Sequence, residues 1–238
     1  MKTTRYYRMI LKAMSISIAL TMAGFASSCS DDDDDDPDLP TDTMLDFATV
    51  TSNTSSGSEF TLSAPNGDEV FTLTSSSRIA ETFTPGHRVL IQYTATAGRY
   101  ADSEIKLYGM SDVANGGITT GAAPDYDNWV SDPITMFGCT RTGNYINISA
   151  GATLTGNPAK FAIVLDEATA DETYPTAHII FKSDNMMGAL KTVYGSFDIS
   201  PVWKKSSVKG LNVKIHTTAG VVESTFHKST SEDIRPAE

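Results

Sequence analysis

From residue 44 onward the chain consists of short runs in which apolar and polar residues alternate, separated by clusters of Gly, Pro, Asn and Ser. A period of two predicts strands with one buried face, and no stretch shows a sustained helical period. The pattern therefore predicts an all-β protein. The predicted strands are 44–51, 59–64, 70–73, the run from the turn at 85–86 to residue 93, 104–108, 134–140, 145–150, 161–165, 178–182, 195–200, 210–217 and 222–228.

The first five runs predict a small barrel. They occupy about 70 residues, which is the size of a partly open five-stranded barrel of the OB type. Between the second and third runs, the sequence Pro-Asn-Gly-Asp at 65–68 predicts a hairpin turn, because Asn-Gly supplies the positive φ angles that the turn needs. This OB-like domain is assigned to residues 44–122.

Residues that interrupt strands cluster after the fifth run. Gly-Gly at 116–117 and Asp-Pro at 132–133 are breaker signals, and they predict a linker over 123–133. Seven further short strands in about 100 residues indicate an antiparallel β-sandwich over 134–229, followed by a polar tail over 230–238.

The first 28 residues have the composition of a bacterial export signal. Four Lys and Arg residues precede an uncharged segment, 13–28, that contains several large apolar side chains. This segment is shorter than the ~20 residues that a spanning helix needs, and it has the length of a signal sequence. Residues 1–28 are therefore predicted to be a lipoprotein signal peptide.

Cys29 is the predicted lipidation site, because it stands where the apolar segment ends. Bacterial lipoproteins carry three acyl chains, palmitate among them, and several chains anchor a protein stably where one holds weakly. A lipoprotein signal usually has Leu three places before the cysteine, and this chain has Ala26 there. An ordinary secretory signal cleaved near Ser28 is the alternative.

The residues after Cys29 resemble the export signal of Bacteroidota lipoproteins, in which acidic residues direct the protein to the outer leaflet of the outer membrane. Adjacent carboxylates repel one another, so the run stays extended and hydrated. The resemblance implies an outer-membrane protein that faces the cell exterior on an acidic tether over 29–43. A solvated linker or a weak cation site is the alternative. The residues of the signal are Ser30, Asp31, Asp32, Asp33, Asp34, Asp35 and Asp36.

Thr43 is a candidate O-glycosylation site. The sequence Asp42-Thr43-Met44 matches the short acidic, hydroxyl and apolar pattern that Bacteroidota use for this modification. The alternative is that Thr43 is simply a residue of the tether.

The net charge argues against nucleic acid as a partner, and the cysteine content argues against disulfide bonds as a source of stability. The formal net charge is −11, which gives no basic footprint for nucleic acid. The chain has two cysteines, so acylation of Cys29 leaves Cys139 without a disulfide partner. The folded part must then rely on its own core.

The order of parts resembles the NigD-like lipoproteins of Bacteroides and relatives, which have a lipoprotein signal, an OB-like domain and a β-sandwich. The residues that carry the resemblance are 86–93 in the first domain, then 143–148 and 196–199 in the second. The family often has an aromatic-rich segment before the second of these runs, and residues 136–139 stand there without tryptophan. The resemblance implies an envelope lipoprotein of unknown biochemical role, and it supplies no active site.

The sequence contains no Gly-x-Ser-x-Gly elbow, no His-Glu-x-x-His and no phosphate loop. Cys139 lies in an apolar strand, which favours a buried inert thiol over a nucleophile. The acidic loop 166–172 is favoured as a solvated loop over a calcium site or an acid–base pair. No catalytic residue, metal or cofactor is therefore assigned. The histidines, which lack metal-ligand spacing, are His87, His178, His216 and His227.

Three function classes are open. The favoured class is a non-catalytic surface lipoprotein that binds a glycan or an envelope protein, with Tyr126 and Trp129 as candidate aromatics for the ligand or for a domain seam. The alternatives are a glycan-active hydrolase, which needs convergent acids in a pocket, and an assembly subunit of the cell envelope, which needs an open sheet edge.

Anchoring should depend on Cys29. The variant Cys29→Ala lacks the thiol that carries lipid, so we expect the protein to move from the membrane fraction to the soluble periplasmic fraction. Cys139→Ala is the matched control and should stay with the membranes. Cell fractionation with a high-salt wash makes the measurement, and a Cys29→Ala protein that still pellets with the membranes would contradict lipid anchoring.

Overall fold

The computed structural model of the protein describes residues 39–122, 131–155, 158, 160–183 and 188–228. The signal peptide, most of the tether, most of the predicted linker and the polar tail lie outside the described residues. Within the described part of the chain, no helix has the length and apolar character to cross a bilayer.

The first domain is a closed five-stranded barrel. Its strands are β1 (Met44–Thr54), β2 (Gly57–Leu62), β3 (Phe71–Ser75), β4 (Arg88–Ala95) and β5 (Ser103–Asp112). Their order around the barrel is β1-β2-β3-β5-β4, and β4 pairs with β1 to close it. The pair β3–β5 is parallel and the others are antiparallel. The prediction of an OB-like barrel is confirmed.

Alternation of side chains fills this barrel. Along β1, Ala48 and Val50 are fully buried, and Thr49 between them points to the outer face. The apolar members of the other strands meet inside the same small barrel. Its buried core is Ala48, Val50, Phe60, Leu62, Leu73, Ile79, Val89, Ile91, Tyr93 and Ile105.

The second domain is a sandwich of two sheets. One sheet has the order β14-β13-β11-β10-β7, and the other has the order β6-β12-β9-β8. A single helical turn, α1 (Ser200–Trp203), follows β12. The strands are β6 (Ala114–Gly117), β7 (Thr119–Gly121), β8 (Thr135–Thr142), β9 (Tyr145–Leu154), β10 (Lys160–Asp166), β11 (Thr176–Lys182), β12 (Ala189–Asp198), β13 (Gly210–Thr217) and β14 (Gly220–His227).

The prediction of a barrel followed by a sandwich is confirmed, and the sandwich differs in one respect from the antiparallel expectation. Three of its strand pairs are parallel: β6–β12, β7–β10 and β11–β13. Side-chain alternation is the same in parallel and antiparallel strands, so the sequence pattern does not carry this information.

Strand pairing places the domain boundary earlier than the sequence analysis did. Strands β6 and β7 lie within the segment expected to end the barrel domain, and each pairs with a strand of the sandwich. They form one edge of each sheet. The glycines at 116–117 that suggested a linker are compatible with such short edge strands, where few side chains need to pack. The sandwich therefore begins directly after β5.

Both sheets contribute to one sandwich core. Phe161 lies 5.4 Å from Phe181 and 5.3 Å from Phe197 between ring centroids, and both contacts are edge-to-face. Ile146 and Ile148 from β9 complete the layer on the side of the four-stranded sheet.

The core should respond strongly to loss of Phe197, which is 1% exposed. We expect Phe197→Ala to lower the free energy of unfolding by ~3–5 kcal/mol, because it removes the aromatic contact and leaves a cavity. Leu190→Ala on the same strand is the control. Its side chain is 69% exposed, so the change should stay within about 0.5 kcal/mol. Urea denaturation followed by circular dichroism gives both values, and equal losses would contradict this core assignment.

Candidate ligand cleft between the barrel and the sandwich

A row of polar side chains crosses the outer face of the barrel. In the strand register, Thr49 of β1 lies opposite Thr61 of β2 on one side and opposite Arg88 of β4 on the other. These positions alternate with buried core residues, so their side chains point away from the barrel core. The row faces the four-stranded sheet of the sandwich.

Arg88 extends from this row into the sandwich. Its Nε donates to Ser196 Oγ at 2.9 Å, and one terminal nitrogen donates to Asn147 Oδ1 at 3.2 Å. The other terminal nitrogen donates to Thr49 Oγ1 at 2.9 Å within the barrel. The guanidinium carbon lies 4.0 Å from the centroid of the Tyr145 ring, a cation–π contact. One side chain thus connects β4 to β9 and β12.

The charge of Arg88 is buried among neutral partners. The residue is 5% exposed, and desolvation lowers the pKa of its guanidinium to about 10. The group therefore stays protonated at neutral pH. Its three acceptors are a serine, a threonine and an asparagine, and among the described residues no carboxylate pairs with it. A buried cation with neutral acceptors retains much of its desolvation cost.

Arg141 makes the reciprocal connection from the sandwich to the barrel. It is fully buried at the end of β8, and it donates to Asp68 Oδ1 in the barrel's 65–68 turn at 2.5 Å. The same side chain donates to the carbonyl oxygens of Asn66 and of Gly143. Its guanidinium lies over the Trp203 ring, 4.7 Å from the centroid. Its Nε has no hydrogen-bond partner among the described residues.

The backbone supports this second connection. The turn differs from the expected Asn-Gly hairpin, because only Asn66 has a positive φ, 61°, and the N–H of Gly67 donates to the carbonyl of Ala64 at 2.9 Å, which centres the turn on Pro65 and Asn66. The N–H of Asn66 donates to the carbonyl of Arg141 at 2.6 Å. In return, the N–H of Gly143 donates to the carbonyl of Gly67 at 2.8 Å. A turn does lie at 65–68, within the longer connection between β2 and β3, and it is a docking element between the domains.

A cleft of about 370 Å³ lies between these two connections. The barrel supplies one wall and the sandwich the other, so both domains build the site. The lining combines hydroxyl and amide side chains with apolar and aromatic ones and with two cations. The lining residues are Thr49, Thr61, Leu62, Ser63, Asp68, Val70, Arg88, Thr142, Gly143, Asn144, Tyr145, Trp203 and Lys228.

The charges around the cleft are mostly positive. Asp68 is the single carboxylate among the lining residues, and Arg141 already holds one of its oxygens. On the positive side stand Arg88 and Lys228, whose Nζ lies 5.7 Å from the Trp203 ring centroid and donates to the carbonyl of Lys205 at 2.8 Å. The arrangement can accept and donate many hydrogen bonds to a polar ligand. It does not contain the pair of facing carboxylates that glycoside hydrolysis uses.

Several residues assigned from the sequence lie away from this cleft or outside the described residues. Cys29, the export signal from Ser30 to Asp36, Tyr126 and Trp129 are not among the described residues. Thr43 is described. Its side chain is half-buried, and its hydroxyl donates to the carbonyl of Pro40 at 2.6 Å. Its glycosylation stays a prediction.

The acidic loop 166–172 has a local structural role. Asp166 accepts a hydrogen bond from the N–H of Ala168 at 3.0 Å and so caps a single 3₁₀ turn, Glu167–Thr169. Within the described part of the chain, no three His, Cys, Asp or Glu side chains are grouped closely enough to hold a metal ion.

Cys139 packs against the sandwich core, and burial raises the pKa of its thiol to about 12. The thiol is therefore protonated at neutral pH, in agreement with the expected inert role. Of the histidines, His87 contacts Asp112 at 2.9 Å and His227 contacts Tyr174 Oη at 3.1 Å, both outside the cleft.

A second polar cluster lies at Asp46 in the barrel, and its groups satisfy one another. Arg99 donates to both oxygens of this carboxylate at 3.0 and 2.7 Å, and the Tyr93 hydroxyl donates to it at 3.0 Å. Burial and the neighbouring carboxylate raise the pKa of Tyr93 well above its usual range. This cluster connects β1 and β4 to the 96–102 loop.

Sequence reasoning missed the residues that build the cleft. The strand pattern gives Arg88 and Arg141 no special role, because charged side chains are usually solvated. A usable signal was present at Arg88, which lies on the polar side of a strand whose other face is fully apolar. Trp203 follows a Ser-Pro pair in α1, and nothing in the strand pattern indicated that it reaches the domain junction.

No protein-family model matches the chain, and no curated protein matches it. Several solved structures share the fold of this chain. The sequence identities of those given below are between 10% and 18%, so the likeness supports the fold alone. A protein of unknown function from Bacteroides vulgatus is 16% identical with a TM-score of 0.62, covering 82% of this chain and 95% of that chain.

Two further structures are relevant to the expected family. A NigD-like immunity protein from Bacteroides caccae is 18% identical with a TM-score of 0.53, covering 78% of this chain and 93% of that one. A protein described as a lipoprotein from Bacteroides fragilis is 10% identical with a TM-score of 0.54. The match covers 79% of this chain and 99% of that one. The resemblance to NigD-like proteins is thus confirmed at the level of the fold.

The ion pair between the domains should matter although Asp68 is 58% exposed. We expect Asp68→Asn to lower the free energy of unfolding by about 1–2 kcal/mol, because it removes the one carboxylate that faces the buried Arg141 charge. Glu69→Gln is the matched control, since Glu69 is exposed and makes no ion pair among the described residues. Urea denaturation, which adds no salt, measures both. A loss equal to that of the control would show that the pair does not hold the domains together.

Proposed function

We propose that this chain is a non-catalytic binding protein, anchored by lipid in the outer membrane and facing the cell exterior, and that the cleft between barrel and sandwich binds a saccharide. The barrel and sandwich form the binding unit, and the tether carries it away from the lipid. A glycan of the cell envelope or of the surroundings is the proposed partner.

One observation carries the binding role. The cleft is a concave surface lined by hydroxyl and amide side chains, with the Tyr145 and Trp203 rings on one wall and the charged groups of Arg88, Asp68 and Lys228 among them. Hydroxyl-rich ligands such as sugars match this set, because each sugar hydroxyl both donates and accepts hydrogen bonds. A pocket with a few convergent polar groups is the default binding site of a protein.

The non-catalytic assignment rests on the chemistry of the lining. Its one carboxylate is paired with a buried arginine, and its residues include neither a histidine nor a cysteine. Glycoside hydrolysis in most families uses two carboxyl groups that flank the scissile bond, and this lining holds one. The matching structures include proteins of unknown function and a NigD-like immunity protein, which is consistent with this assignment.

The location is supported by the signal, by Cys29 with its acidic run and by the fold shared with a protein described as a lipoprotein. The predicted lipid would hold the chain at the membrane, and the hydrated aspartates would separate it from the folded domains. The binding cleft would then face the medium.

Surface display should depend on the acidic run. Replacing Asp31 to Asp36 with alanine should leave the protein in the outer-membrane fraction but turned to the periplasm, because the export signal is lost. Protease treatment of intact cells makes the measurement: the parent chain should be digested and the variant protected. Replacing the exposed acids Glu167, Asp171 and Glu172 with alanine keeps the capping Asp166, and this control should leave digestion unchanged. Equal digestion of all three would contradict the role of the run.

Ligand capture should depend on the mouth of the cleft. Val70 lines the cleft and is 60% exposed, so Val70→Trp should obstruct it without disturbing a core. Val221, which is 58% exposed on β14 and outside the cleft, provides the matched control Val221→Trp.

The detergent-extracted protein is tested on an array of neutral and acidic oligosaccharides. We expect a bound saccharide whose capture falls by at least about tenfold in Val70→Trp and is unchanged in Val221→Trp. The absence of any bound saccharide, or equal capture by both variants, would contradict the proposed function.

A further inference from the structure

The chain is strongly acidic, yet the cleft holds a cation with which no carboxylate of the described residues pairs. The formal net charge is −11, and the other buried arginine, Arg141, has its carboxylate in Asp68. Arg88 differs, because its partners among the described residues are neutral oxygens and an aromatic ring. Among the described arginines, Arg78, Arg99 and Arg141 each pair with an acid and Arg88 does not, which is a distinctive feature of the site.

The geometry leaves Arg88 with hydrogen-bonding capacity. A guanidinium has five N–H groups, and three of them donate to Ser196, Asn147 and Thr49. Two donors are therefore not used by the described residues. Arg88 also belongs to the lining of the cleft, so part of its side chain borders the open volume.

The neighbours of Arg88 suit an anion better than a neutral group. Thr49 lies beside it in the strand register, and Thr61 lies beside Thr49, so the two hydroxyls continue the row of donors along one wall. Thr142 and Asn144 face them from the sandwich. A guanidinium flanked by hydroxyl donors provides charge-assisted hydrogen bonds, which are about twice as strong as neutral ones.

The remaining charges favour a carboxylate over a phosphate. Asp68 lies in the same lining, and its negative charge opposes a dianion more strongly than a monoanion. Its free oxygen can instead accept a hydrogen bond from a sugar hydroxyl. Lys228 on the sandwich side offers a second cation at the cleft, near the Trp203 ring.

We infer that the cleft is specific for acidic sugars and that Arg88, with the hydroxyls of Thr49 and Thr61, binds the carboxylate of a uronic or sialic acid residue. This inference rests on the proposed function, since it names the class of saccharide that the cleft takes. The carboxylate of the ligand provides the negative charge that the described residues do not place beside Arg88. The sugar hydroxyls bind to the opposite wall.

The first experiment compares matched ligands. Oligosaccharides that contain uronic or sialic acid are printed beside their carboxyl-reduced forms, which differ only in a CH₂OH group in place of the carboxylate, and beside sugar phosphates. The full lipoprotein in detergent is applied at low salt. We expect at least one acidic probe to bind and its reduced form to bind about tenfold more weakly or worse. Binding of that probe should also weaken as salt is raised from about 0.05 to 0.5 M.

The second experiment places a charge beside the proposed carboxylate position. Thr61→Asp adds a negative charge to the row, and Thr61→Asn is the neutral control of the same size. This position is on the outer face of β2, so both variants keep the barrel core. We expect Thr61→Asp to weaken capture of the acidic probe about tenfold relative to Thr61→Asn. The Arg88→Lys variant retains a cation but not the planar fork, and should also weaken capture.

The outcomes separate the two proposals. If bound saccharides keep their affinity after carboxyl reduction, or if only sugar phosphates bind, the acidic-sugar inference is overturned and saccharide binding by the cleft stands. Equal affinities of Thr61→Asp and Thr61→Asn would overturn the placement of the carboxylate at Arg88. If no saccharide binds, the proposed function fails and this inference fails with it.

Discussion

Two arginine side chains cross the junction between barrel and sandwich in opposite directions, and the cleft exists because both charges are buried there. Arg88 enters the sandwich from β4, and Arg141 reaches the barrel turn from β8. Any rotation of one domain against the other would strip these guanidinium groups of their acceptors, and a buried charge without acceptors is very unfavourable. The cost of moving either charge therefore fixes the angle between the domains.

This constraint also explains the chemistry of the junction. Interfaces between domains of one chain are usually polar and allow relative motion. Here the polar groups are directional, because planar guanidinium groups bond to oxygens at defined angles and also stack on the Tyr145 and Trp203 rings. The edge contact between Phe47 of the barrel and Tyr194 of the sandwich, 6.2 Å between centroids, adds apolar packing beside the Arg88 bonds. A cleft with such walls is largely formed before a ligand arrives, which lowers the entropic cost of binding.

The sequence was sufficient for the fold class and for most of the strands, because alternation at positions such as Ala48, Thr49 and Val50 states directly which side of a strand is buried. It was not sufficient for β6 and β7. Those strands have three or four residues and several glycines, which is too short for a period of two to show. Their parallel pairing joins residues about 80 and 45 positions apart, and local patterns carry no such information.

The cleft was harder to predict for a related reason. The pattern shows that Thr61, Thr49 and Arg88 point away from the barrel core, but it does not show that this outer face meets another domain instead of water. The burial of Arg141 is decided by Asp68, 73 residues earlier in the chain. Residues of this kind are identified by contacts between distant segments. Without an indication of which strand faces pack together, a buried arginine and a solvated one look the same in sequence.

The alternation along the barrel strands has a consequence for how such proteins can diversify. On β1, the residues that hold the barrel together and the residue that borders the cleft occupy successive positions but opposite faces. A substitution at Thr49 or Thr61 therefore alters the wall of the cleft while the core behind it keeps its volume and shape. Residues of the cleft wall can therefore be substituted one at a time, because no compensating substitution in the barrel core is needed. A single scaffold of this design can accumulate many recognition surfaces while its backbone stays recognisable.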